Sequence, residues 1–144
     1  MSTLAFPAVF ERDESNRLVV HFPDLPQAHT DGATQEEAFE EAIDCLGSTI
    51  AFLLADREPV PRPSPAKPGQ QIIPVPLWVS GKLALHWALA SAGINQSALA
   101  RRMGVRETVV RRLLDPRHNV RPERLQQALA ALNVHLVMAT LEAA

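Results

Sequence analysis

The chain has 144 residues, enough for one ordinary domain or two small ones, and its net charge of −2 conceals an uneven distribution. Residues 1–76 carry 5 Lys and Arg against 12 Asp and Glu, a net of −7, whereas residues 77–144 carry 9 against 4, a net of +5. The single cysteine excludes an intramolecular disulfide, no run approaches the roughly 18 apolar residues of a membrane span, and the absence of tyrosine argues against a base-stacking surface for single strands. The N-terminus lacks the basic and apolar regions of a secretory signal, so a cytoplasmic location is expected. Charge asymmetry of this kind predicts two modules, the second suited to a polyanion and the first to a basic protein.

In chain order, Leu4 to Phe10 can be extended, with Pro7 at an edge or with its nitrogen outward. Glu11 to Asn16 is a polar turn, and the β-branched run Leu18 to Phe22 completes a predicted hairpin. Pro23 to Pro26 is expected to break that strand, and Gln27 to Asp31 to form a third before Gly32. Thr34 then opens a helix to about Ala55. Glu37 stands three residues after Thr34, which makes a capping box, and Phe39, Ala42, Ile43, Leu46, Ile50, Leu53 and Leu54 recur at helical spacing. The expected result is an α+β unit over residues 1–58, a small antiparallel sheet covered on one side by this helix. Residues 59–76 are proline-rich and read as an extended or mobile linker, although residues 70–76 can return as a fourth strand.

Residues 77–144 predict an all-α domain. Ser80 is expected to cap a helix that Gly93 ends. Asn95 to Leu114 reads as two short helices, with Leu99, Met103, Val105, Val110, Leu113 and Leu114 apolar and Gly104 at a sharp turn, which is a helix-turn-helix pattern. In that reading Val105 to Leu114 carries the recognition helix, and Glu107, Thr108 and Arg111 face a major groove. Gln96, Arg101, Arg102, Arg106 and Arg112 are the remaining DNA-binding candidates, with Arg101, Arg102 and Arg112 directed at phosphates. The alternative is an ordinary helical hairpin with a solvated arginine face. Pro122 suits the first turn of a last helix to about Leu132. Val134 to Met138 is apolar and β-branched, and is expected to pair with a second copy or pack on the helices.

Catalytic chemistry finds little support. His21, His29, His86, His118 and His135 lack metal-ligand spacing, so no metal and no cofactor is expected. Asp13, Asp24 and Asp31 are the carboxylates that could converge in a two-metal nuclease, yet all three fall in predicted turns or at strand ends, where Asp is a common turn residue. No phosphate-binding glycine loop, GxSxG or HExxH is present, so no catalytic residue is assigned and the chain is not expected to be an enzyme. Glu11, Asp13 and Glu14, with Glu36, Glu37, Glu40, Glu41 and Asp44, form either a solvated face or a docking surface for a cationic protein.

The segment Phe6 to Phe10, Leu18 to Pro26 ending in FPDLP, Thr30 to Thr34 and Glu36 to Leu46 resembles the start of HicB antitoxins. From Lys82 onward the chain resembles the helix-turn-helix domain of one branch of that family. One departure is Gln27 and Ala28, where the family usually has Gly-Cys or a similar pair. The resemblance implies a partial ribonuclease H fold without nuclease activity that binds and masks a HicA-type toxin, a small basic protein that cleaves mRNA. It also implies repression of its own operon by operator DNA binding as a homodimer or higher homo-oligomer. Asp13, Asp24 and His29 are candidates for toxin contact. Two competing readings are a stand-alone transcriptional regulator with a ligand-sensing N-terminal domain, and a metal-dependent ribonuclease H-like nuclease using Asp13, Asp24 and Asp31.

Overall fold

The computed structural model describes residues 2–142, with the elements β1 (Ala5–Arg12), β2 (Leu18–Phe22), β3 (Leu25–Gly32), α1 (Gln35–Ala55), β4 (Gln71–Pro74), α2 (Leu77–Ala92), α3 (Gln96–Met103), α4 (Glu107–Leu114) and α5 (Pro122–Ala131). The architecture is α+β, as expected, and the chain divides into two compact units, Met1–Leu83 and Ala84–Ala144.

In the first unit the strands form one antiparallel sheet in the order β3-β2-β1-β4. β1 changes partner along its length: Ala5 to Ala8 pair with β4, and Val9 to Arg12 pair with β2. This placement explains how a proline enters a central strand. Pro7 lies where the ladder runs to β4 alone, so its missing donor interrupts no pairing with β2. The turn at Pro23 and Asp24 is tighter than expected, because Leu25 already pairs with Phe22 and β3 begins there rather than at Gln27. Pro26 is tolerated in β3 because that strand is the sheet edge.

Strand alternation turns Phe6, Ala8, Leu18, Val20, Phe22, Ala28 and Ile73 inward. α1 covers that face with Ala38, Ala42, Leu46, Gly47, Ile50, Leu53 and Leu54. Its start is set by Thr34, whose side chain accepts from the Glu37 N–H at 3.1 Å; Glu37 in turn accepts from the Ala33 N–H at 3.2 Å, one residue before the position a capping box uses. Fully burying a Leu, Ile or Phe contributes about 1.5–3 kcal/mol, whereas the solvent-exposed Arg17–Asp31 pair at 2.7 Å is screened by water, so apolar packing holds this unit.

The proline-rich residues carry no regular structure before β4, yet they are tied to the sheet domain. Val60 is buried, the Arg62 guanidinium donates to Ser2 Oγ at 2.9 Å, and Ser64 donates to Asp24 from both its backbone N–H (2.8 Å) and its hydroxyl (2.6 Å). Lys67 to Gln70 then close a turn with Pro68 second and Gly69 third at φ +85°, which delivers the chain into β4.

The start of α2 needs correction. Ser80 does not cap α2: the helix begins three residues earlier, the Pro76 carbonyl accepts from the N–H groups of Val79 and Ser80, and the Ser80 hydroxyl donates back to the Leu77 carbonyl at 3.3 Å. Pro76 stands just before the helix and closes its first turn through that carbonyl, a role that needs no N–H of its own. Within the single chain Val134 to Met138 carry no strand, and Val137 and Met138 are among the most exposed large apolar side chains described.

Gly32 marks the closest approach in the first unit. A Cβ placed there would stand 2.5 Å from the Ala38 backbone nitrogen and 2.7 Å from its Cα, and neither can yield without moving α1. Gly32→Ala is therefore expected to destabilise the unit by about 1–3 kcal/mol in chemical denaturation, whereas the same change at Gly69, where no atom lies within 4 Å, meets backbone strain but no clash.

Candidate nucleic-acid interface

The second unit is built on a short-helix pair. Asn95 caps α3 by accepting from the Ala98 N–H at 2.9 Å, and Gly104 ends it in the left-handed region at φ +68°, where glycine alone is unstrained. Leu99, Ala100, Val110, Leu113, Leu114 and Leu129 are buried and hold α3, α4 and α5 to one another. α4 is two residues shorter at its start than expected, because Val105 and Arg106 form the turn after Gly104.

Side chains fix α4 at both ends. At its start, Ser97 Oγ donates to Glu107 Oε2 at 3.0 Å, which ties α4 to α3. At its end, His86 Nε2 lies 2.8 Å from the Leu114 carbonyl; a carbonyl can only accept, so Nε2 carries the hydrogen. Next comes Asp115, which is only 18 % exposed and organises the following turn: it accepts from the Arg117 backbone N–H at 2.9 Å and from the Arg117 guanidinium at 2.9 and 3.0 Å, with His118 Nε2 at 3.7 Å.

The DNA-binding candidates cluster on this framework. Arg101, Arg102, Arg106, Glu107, Thr108, Arg111 and Arg112 are exposed on α3, the turn and α4, and Gln96 is half-buried at the first residue of α3. Thr108, Arg111 and Arg112 line a depression of about 250 Å³ with Asp115 and His118. Two of the residues have intramolecular roles that sequence reasoning missed: Glu107 is the acceptor for Ser97, and Arg102 donates to the Ala131 carbonyl at the end of α5, at 3.4 Å. Sequence reasoning also passed over Arg117, Arg121 and Arg124, which extend the exposed cationic surface through the turn into α5, with His118 exposed among them; their basic spacing after Leu114 was the available signal. Neither Arg106 nor Arg121 caps its helix with its side chain; the Val109 and Arg124 N–H groups donate to the carbonyls of those two residues, and α5 opens on Pro122, which has no N–H to offer.

The toxin-contact candidates are not gathered. Asp13 accepts from the Ser15 and Arg17 N–H groups in the β1–β2 turn, Asp24 holds Ser64 beyond the other end of β2, and His29 is exposed in mid-strand on β3. Asp13 and Asp24 thus stand at opposite ends of β2 and cannot share a cation, and Asp31 is engaged by Arg17. Among the described residues no group of three or more His, Cys, Asp or Glu is placed to hold a metal ion, and no helix is long and apolar enough to cross a membrane. The exposed side of α1 is acidic, with Glu36, Glu37, Glu40, Glu41 and Asp44 all facing solvent.

The chain thus pairs a sheet covered by one acidic helix with a separate unit rich in arginine. Residues 5–84 match the profile of the HicB_like antitoxin of bacterial toxin-antitoxin systems, and the chain belongs to that family. It is 34 % identical over 138 residues to antitoxin HicB 1 of Photorhabdus laumondii, covering 96 % of this chain and 88 % of the relative. It is also 34 % identical over 133 residues to antitoxin HicB of Escherichia coli K12, covering 92 % and 96 % of the two chains, and 30 % identical over 119 residues to that of Pseudomonas fluorescens Pf0-1, covering 80 % of each. The role is that of an antitoxin, which is not an enzyme's, and it implies a toxin partner.

The hydrogen bonds from Arg117 hold the Asp115 carboxyl well below its ordinary value of 3.8, at about 2. A depressed carboxylate stabilises the fold above its ordinary value and ceases to do so as pH falls through its folded one. The thermal midpoint of the wild-type protein should therefore exceed that of Asp115→Asn by a constant margin above about pH 4–5, and the margin should shrink between about pH 4 and pH 2. A margin independent of pH over that range would show that the bond to Arg117 does not form in solution.

Proposed function

We propose that the first unit binds and neutralises a HicA-type toxin, and that the second binds operator DNA through α3 and α4 as a helix-turn-helix, repressing the chain's own operon. The observation that carries the DNA reading is the concentration of exposed arginine about an α4 fixed at both ends: Arg101, Arg106, Arg111 and Arg112 lie within twelve residues of sequence. α4 presents Thr108 and Arg111 outward while Val110, Leu113 and Leu114 are buried, which is the arrangement a recognition helix requires. The start of α4, which has no side-chain cap, adds backbone donors of the kind that take phosphate. Glu107 is committed to Ser97, so its part is to fix the helix pair as much as to meet a base.

For the toxin, charge complementarity favours the acidic side of α1 with Glu11 and Glu14 over the earlier candidates Asp13 and Asp24, whose oxygens already accept hydrogen bonds in the turns. His29 stays available on the sheet. A single eight-residue helix reads few base pairs, so the operator complex is a homodimer or higher homo-oligomer; the exposed Leu136, Val137 and Met138 are the segment proposed to join the copies.

The test is binding of the purified chain to DNA from upstream of its own gene at two salt concentrations, beside a Thr108→Ala/Arg111→Ala variant. Sequence-preferring binding is expected, weakening steeply with salt and reduced by about 1–3 kcal/mol per base-contacting side chain removed. Equal binding to random DNA would leave α3 and α4 as a packing unit only. In parallel, reversal of Glu36, Glu40 and Glu41 to Lys should weaken capture of the neighbouring toxin without changing DNA affinity, as read by titration of each partner separately.

A further inference from the structure

The sheet face that α1 leaves uncovered carries a pair of side chains that neither binding role uses in combination. His21 of β2 and His29 of β3 are directly opposed in the antiparallel register, and both are exposed. Opposed residues on neighbouring antiparallel strands hold their Cβ atoms about 4.5–5.5 Å apart, on the same side of the sheet. Val9 of β1 continues the row beside His21. Along the strands the next residues on this face are Val19, half-buried, and Asp31, whose carboxylate is bound to Arg17 at 2.7 Å.

We propose that His21 and His29 form a two-imidazole site for a divalent transition-metal ion of the zinc, nickel or copper class, bridging β2 and β3 and completed by solvent. Imidazole nitrogens suit these ions and bind at about 2.0–2.1 Å in the zinc case, a reach that two rings on opposed positions can share. The backbone under the pair is fixed by continuous pairing from Leu18 with Gly32 to His21 with His29. It is fixed again from the other face, where Cys45 Sγ donates to the His29 carbonyl at 3.6 Å. The irregularity in the ladder falls between His21 and Phe22, just beyond the pair. Asp31 is occupied by Arg17, and no third His, Cys, Asp or Glu is placed to complete a cage among the described residues. The site is therefore an open, exchangeable one that crosslinks two strands, distinct in chemistry from a closed structural zinc centre.

The experiment is calorimetric titration of the full chain with Ni²⁺ and with Zn²⁺ in a non-chelating buffer, using the wild type, His21→Asn, His29→Asn and, as a control in the C-terminal segment, His135→Asn. One equivalent is expected to bind the wild type and the control alike, with affinity reduced at least about tenfold in each of the other two variants. Metal should also raise the wild-type thermal midpoint, since the ion binds the paired strands and not the unfolded chain, and should perturb the ring signals of both histidines together in NMR spectra. Wild-type affinity in either His21→Asn or His29→Asn, with the variant's circular dichroism unchanged, would overturn the proposal, as would binding that perturbs one ring only. Neither outcome depends on toxin or DNA.

Discussion

Burial of the apolar stripe of α1 on one face of the sheet is the constraint from which the first unit follows. A helix of 21 residues crossing a sheet needs an apolar partner on each strand beneath it, and the sheet supplies Phe6 and Ala8, Val20 and Phe22, Leu25 and Ala28, and Ile73. The last of these explains the course of the proline-rich segment. Ala5 to Ala8 pair only with β4, so a chain that did not return would leave the first half of β1 as an open edge beside the core. Proline, which limits the conformations available to the unfolded chain, lowers the entropy lost when the segment is laid down, and Asp24 and Ser2 provide its fixed points. The same burial assigns the surfaces: the acidic side of α1 and the opposite sheet face with His21 and His29 are what remain exposed.

The second unit rests on a different balance. Helices of eight residues are far below the length at which a helix is stable alone, so α3 and α4 exist only through packing. Their apolar contacts are few and small, which gives the polar links at each end of α4 more weight than such bonds have in the first unit. The bond from His86 is the clearest case. A helix of two turns anchored at Leu114 and at Glu107 cannot slide or tilt without breaking one bond or the other.

What the sequence made legible was set by period and by turn chemistry. The α1 stripe, the Thr34 cap, the left-handed Gly104 and the return of Gln71 to Pro74 were all readable, because each rests on local residue preferences. The start of α2 was not. Ser80 has a capping side chain, but the helix already starts after Pro76, whose carbonyl accepts from the Val79 and Ser80 N–H groups, and local propensity does not rank the two starts. The candidate interface was legible as a cluster of arginines on a helix pair. Its internal wiring was not, since Ser97 with Glu107, His86 with Leu114 and Arg102 with Ala131 join residues 10, 28 and 29 positions apart. In the same way Asp24 looks like a turn former in sequence, and its bonds to Ser64, 40 residues away, appear only once β4 has drawn the proline-rich segment back.

That wiring changes how the positive charge of the second unit is to be counted. Arg117 is bound through its guanidinium to Asp115, Arg102 to a helix-terminal carbonyl and Arg124 to Gln127 Oε1 at 3.3 Å. A phosphate that recruits one of these must compete with a bond already made. For Arg117 that bond is charge-assisted and two-pronged, and such bonds are about twice as strong as neutral ones. An arginine held in this way is pre-oriented and contributes a fixed field, whereas a long side chain that must be ordered on contact loses up to about 2 kcal/mol of rotamer entropy. Net charge would therefore measure only the attraction a polyanion feels at this unit, and the bonded geometry would determine which of the arginines could meet it at little further cost.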